Sequence, residues 1–123
     1  MGYEVHITRA EFWAENAGQE ISADEWWALV QSDAELVPVP ANGKYFVIWR
    51  GSVEYPETWF DWFEGNITTK NPDKATLRKM LQMAERLNAR VQGDDGELYT
   101  AANTQASAGD KFKAFFKRGK KSS

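Results

Sequence analysis

The chain contains no cysteine and a single histidine, His6. Without thiols there is no disulfide framework, no thiolate metal site and no cysteine nucleophile, which fits a reducing compartment. One histidine allows no His–His or Cys–His pair, and the sequence has no Gly-x-Ser-x-Gly elbow, P-loop or dinucleotide fingerprint. No apolar run approaches the ~18 residues of a membrane span. The opening MGYEVHITRA lacks the hydrophobic run of a signal peptide, and position 6 is not the Ser or Thr that myristoylation of Gly2 favours. A cytoplasmic protein without a membrane span is the expectation. Basic residues are also scarce where acidic ones are dense. Residues 1–64 carry twelve acidic side chains against three basic ones (Arg9, Lys44, Arg50), a net of −9. Residues 110–123 reverse the sign, with six basic side chains against Asp110, and the whole chain carries −3. Phosphate contacts need clustered Lys and Arg, so the acidic body is a poor nucleic-acid surface and a good match for a basic partner.

What the chain does have, in 123 residues, is aromatic content: six Trp and seven Phe. That length is one domain with room for a core. Tyr3, Val5 and Ile7 alternate with Glu4, His6 and Thr8, the pattern of a half-buried strand. Ser22 and Glu25 form a capping box for a helix that buries Trp26, Leu29 and Val30, turns Trp27 elsewhere and ends near Asp33. Leu36 to Val39 and Lys44 to Arg50 flank Asn42-Gly43, a hairpin signal because both turn residues tolerate positive φ. Two prolines demote the first of these runs to an edge strand or an extended segment. Residues 51–57 read as a loop, TWFDWFE (58–64) as a strand, and Gly65-Asn66 as a turn into Ile67 to Lys70. Leu77, Met80, Leu81, Ala84 and Leu87 recur at intervals of three and four, an amphipathic helix expected to start with Asn71 as cap and Pro72 at its first position. A last hairpin turns at Asp94-Asp95-Gly96. These elements predict an α+β two-layer domain over residues 1–100: a mostly antiparallel sheet with two amphipathic helices on one face. Residues 101–123 read as a linker and a basic tail or short helix carrying Phe112, Phe115 and Phe116. The tail has two readings, docking on the acidic body or acting as an arm toward nucleic acid or anionic lipid.

The TWFDWFE strand is unusual because both of its faces are aromatic. Trp59, Asp61 and Phe63 lie on one side, and Thr58, Phe60, Trp62 and Glu64 on the other. Either both faces are covered, or one is an aromatic and carboxylate surface for a basic protein or a sugar ring. In the covered case Asp61 needs a partner such as Arg50. Asp61 and Glu64, three apart on a strand, point to opposite faces and cannot flank one bond as a hydrolase carboxylate pair without a bulge. Gly93 to Glu97 lacks the ligand spacing of a calcium loop and reads as a plain turn. No metal site, cofactor or catalytic group is expected.

The segments YEVHITRAEFW, ISADEWWALVQSD, GNITTKNPDKAT and KMLQMAERLNARVQGDDGELY together resemble a group of small, uncharacterised acidic bacterial cytosolic proteins. The resemblance covers residues 3–99 and leaves out the tail. Proteins of this kind are associated with immunity proteins that neutralise toxins of interbacterial competition. The resemblance therefore implies a non-enzymatic, protein-binding immunity protein that occludes a basic toxin surface; it carries over no functional residues. The residues expected to meet such a partner are Glu11, Trp13, Glu15, Trp27, Asp33, Glu54, Glu57, Asp61 and Glu64. The alternative is a small ligand- or nucleic-acid-binding domain using surface aromatics and the basic tail.

Overall fold

The structure, a computed structural model, describes residues 3–51 and 58–101. Seven strands form one sheet: β1 (Glu4–Thr8), β2 (Leu36–Pro38), β3 (Phe46–Trp49), β4 (Trp59–Phe63), β5 (Asn66–Lys70), β6 (Arg90–Gly93) and β7 (Leu98–Tyr99). Two helices, α1 (Ala23–Gln31) and α2 (Lys74–Arg86), join β1 to β2 and β5 to β6. The spatial order is β2-β3-β4-β5-β1-β6-β7, with every neighbouring pair antiparallel. β1 is thus parallel to β2, and β5 to β6, so each helix is the crossover of a parallel pair. One crossover moves left from an up strand and the other right from a down strand. These are related by a half-turn about the sheet normal, so crossovers of one hand put both helices on the same face.

That face holds the core. Val5, Ile7, Leu36, Val47, Trp49, Phe60, Ile67 and Val91 from the sheet pack with Trp26, Leu29 and Val30 of α1 and Met80, Met83 and Ala84 of α2, all buried. The strand residues in this set fall on alternate positions of their strands, as a one-sided pleat requires. The expected two-layer α+β architecture is what the chain forms.

Local signals account for most boundaries, and three differ from expectation. The capping box holds as read: Ser22 Oγ accepts from the Glu25 amide, and Glu25 accepts from the Ser22 amide. The cap of α2, by contrast, is Asp73, whose carboxylate accepts from the Thr76 amide at 2.8 Å. Asn71 instead sits at φ 48° and accepts from the Tyr3 amide, so it fastens the loop to the start of β1. Helix α2 stops at Arg86, and Val91 belongs to β6. The β4–β5 turn is Glu64-Gly65, both at positive φ (50° and 86°), the geometry of a two-residue primed hairpin; Asn66 is already in β5. In the β2–β3 hairpin a 3-10 turn, Pro40–Asn42, replaces the expected tight Asn-Gly turn. Edge placement of β2 agrees with its prolines.

Strand β1 was expected to be half-buried, yet His6 and Thr8, on the side away from the helices, are buried too. The segment after β1 folds back across that side. The Trp13 amide donates to the Gln92 side chain at 2.9 Å, and Asn66 donates to the Trp13 carbonyl. Trp13 stacks on His6 with ring centroids 3.8 Å apart. This interior strand is therefore covered on both faces by pieces of its own chain.

Candidate functional site

At the β4–β5 turn, a shallow groove of about 440 Å³ opens between residues 14–22 and the hairpin. Three exposed carboxylates line it, Glu15, Glu20 and Glu64, and Trp62 presents its indole there. The backbone that holds them is stitched together. The Ile21 amide donates to the Gly65 carbonyl at 2.9 Å, and the Asn16 side chain donates to the Glu64 carbonyl at 2.8 Å. Trp62 Nε1 donates to the Ile21 carbonyl at 2.8 Å, which fixes the indole plane. Tyr45 meets Trp62 edge-on at 4.7 Å, and Trp27 lies 5.8 Å beyond Tyr45, so a row of three rings runs from the groove to α1. None of the three groove carboxylates takes part in a salt bridge among the described residues. Carboxylates gathered beside a fixed indole face can receive a lysine or arginine through ion pairing and cation–π contact.

A second patch adjoins the first through β4. On the face away from the helices, Phe46 stacks on Trp59 with centroids 5.4 Å apart. Asp61 stands opposite Phe46 and Thr68 in the register. Phe63 is 64% exposed at the turn, the most open large hydrophobic side chain described. Burial pushes the Asp61 carboxyl above the ordinary aspartate range, only partly offset by the Trp62 amide. No described salt bridge includes Asp61, so Arg50 does not neutralise it.

The expected partner residues separate into groups. Glu15 and Glu64 converge on the groove, whereas Trp27 stands outside its lining at the far end of the ring row. Asp61 belongs to the open patch next to it. Glu11 is exposed over β6, with its carbonyl accepting from Gln92. Trp13 is half-buried on His6, its Nε1 donating to the Asp94 carbonyl. Asp33 pairs with Lys79 at 2.5 Å, which holds its carboxyl below the usual aspartate range against the upward push of burial. Glu54, Glu57 and the tail beyond Ala101 lie outside the described residues. Glu20 and Tyr45 carried no distinguishing pattern in the sequence, whereas Trp62 did: the period-2 alternation of β4 sets it on the side of Glu64.

Among the described residues no helix is long and apolar enough to cross a membrane. Compared with known protein families, with curated proteins and with solved structures, the chain matches none.

Proposed function

We propose that the chain is a non-enzymatic protein-binding domain, and that it acts as an immunity protein by occluding the basic surface of a toxin. The observation that carries this reading is the groove of Glu15, Glu20 and Glu64 around Trp62, three carboxylates without described cation partners. An acidic face attracts a basic partner at long range and raises its association rate. At contact the groove takes one lysine or arginine, while Phe63, Trp59 and Phe46 supply apolar area beside it. Aromatic residues with a charged rim are the usual composition of a binding hot spot. The step from protein binding to toxin neutralisation rests on the resemblance alone.

The test compares the wild-type chain with the triple variant Glu15→Lys, Glu20→Lys, Glu64→Lys as bait in lysate of the source cells, washed at low and high salt. All three side chains are exposed, so the variant should keep the wild-type circular dichroism and melting curve. A near-stoichiometric basic protein held by the wild type, weakened by salt and lost by the variant, is the expected result. Equal retention by both baits removes the groove from the proposal. Co-purifying nucleic acid, insensitive to the triple reversal, favours the alternative function.

A further inference from the structure

On the far side of β1 from the core, three potential donor groups converge. His6 Nε2 lies 3.0 Å from Asp94 Oδ1, and a carboxylate oxygen of Glu4 completes a set in which all three atoms are within 4.8 Å of one another. Glu4 and His6 project from the same side of β1, being two residues apart, and Asp94 follows β6, the neighbouring strand. The supporting contacts are as developed as the cluster itself. His6 is 2% exposed, its ring lies parallel to Trp13 within 12°, and its Nδ1 is 3.1 Å from Thr68 Oγ1. The Glu4 amide donates to Asp94 Oδ2 at 3.0 Å, and Trp13 Nε1 donates to the Asp94 carbonyl at 3.1 Å. Ring plane, ring rotation and carboxylate orientation are each held by a separate partner. Asp94 keeps a third of its side chain open to solvent, which leaves an approach.

We propose that Glu4, His6 and Asp94 bind a divalent transition-metal ion of the zinc class. Two bonds of about 2.1 Å at octahedral or tetrahedral angles put donor atoms roughly 3.0–3.4 Å apart. The His6–Asp94 separation already matches that range. The ion takes the place of the hydrogen between Nε2 and Oδ1. Nδ1 then carries the ring proton and donates it to the Thr68 hydroxyl, the outer partner that ligating histidines regularly have. The Glu4 side chain, on the partly exposed rim, closes a short gap to supply the third bond. One imidazole nitrogen with carboxylate oxygens suits zinc and its first-row neighbours, whereas calcium asks for six to eight oxygens. Three protein donors leave a coordination position for water or for a group of a ligand.

The chain, with any affinity tag removed, has one histidine, so its ring ¹⁵N signals belong to His6 without ambiguity. Titration with zinc chloride should move the Nε2 signal saturably at one ion per chain and raise the melting temperature. Glu4→Gln should weaken binding at least about tenfold while leaving the zinc-free melting temperature unchanged, because no described hydrogen bond or salt bridge uses the Glu4 carboxylate. Asp95→Asn, in the same turn but outside the cluster, should bind like the wild type. Ring signals indifferent to excess zinc would overturn the proposal. So would equal zinc affinity in Glu4→Gln and the wild type, whatever Asp94→Asn does to folding.

Discussion

Lys79 sits in the middle of α2 with its side chain only 8% exposed, an unusual place for an ammonium group. Its Nζ is 2.5 Å from Asp33 Oδ2 and 3.3 Å from Glu35 Oε1, and it lies 5.9 Å from the Trp49 ring centroid. At 2.5 Å and an effective dielectric of 20, the Lys79–Asp33 attraction is about 7 kcal/mol before desolvation. Desolvation removes several kcal/mol per ion, so the intact pair contributes little net stability. Removing one partner is different, because the other charge stays behind without its direct counter-ion, with Arg86 acting on it only at longer range. Lys79→Met should therefore cost about 2–4 kcal/mol, at the lower side of the range for broken buried pairs. Asp33 keeps a hydrogen bond from the Glu35 amide and 17% of its side-chain surface, which softens the loss. Glu35 is 55% exposed and adds little. Adding Asp33→Asn to Lys79→Met should recover most of the loss, to within about 1 kcal/mol of the wild type. Urea unfolding of the four members of the cycle measures this directly. A Lys79→Met variant within about 0.5 kcal/mol of the wild type would refute the argument that Asp33 depends on its cation.

Two further expectations concern other parts of the molecule. Gly65 has φ 86°, and a Cβ there would stand 2.6 Å from the Glu20 Cβ, so Gly65→Ala should destabilise by about 1–3 kcal/mol and lower the melting temperature by several degrees. The Arg9 guanidinium, bonded to Glu25 through both carboxylate oxygens, is the main reason that carboxyl is held down to about 2. Because the folded value lies below the ordinary one near 4.5, its stabilisation is present above that pH and is lost as pH falls toward 2. The pair is partly exposed, so the loss should stay below about 1 kcal/mol. Glu25→Gln should accordingly flatten the acid limb of a melting temperature-versus-pH curve between pH 4.5 and 2, and an unchanged limb would contradict the assignment.

Much of what depends on neighbours two to four residues apart was readable in the sequence, though the exact turn residues of the β2–β3 and β4–β5 hairpins were not. The Ser22–Glu25 box and the faces of β4 follow from spacing alone. The start of α2 was not readable, because Asn71 and Asp73 are both good caps. The choice between them is made by Tyr3, 68 residues away from Asn71, which claims the asparagine for the sheet. The burial of Lys79 has no local signal either, because its carboxylates come from the loop after α1. Trp13 looked like an exposed anchor, but its ring has a partner in His6, and no periodicity predicts a loop crossing a sheet. The groove was half legible: Glu15 and Glu64 were expected, whereas Glu20 and the indole floor came from the hairpin meeting residues 14–22. The Glu4–His6–Asp94 cluster was hidden for the same reason, with 88 positions between its histidine and its second carboxylate.

The position of β1 also sets an order of events during synthesis. Strands β2 to β5 follow one another as hairpins, so they can pair with the strand just made. β1 is translated before any of them, but its two partners are β5 and β6. His6 cannot meet Gln92, its register partner, until that residue has left the ribosome. Until then β1 has at most β5 beside it, and the edge that β6 will take stays open to chaperones or to another nascent chain. The first strand made thus waits for two of the later ones, and it joins the β2–β5 meander to the C-terminal hairpin.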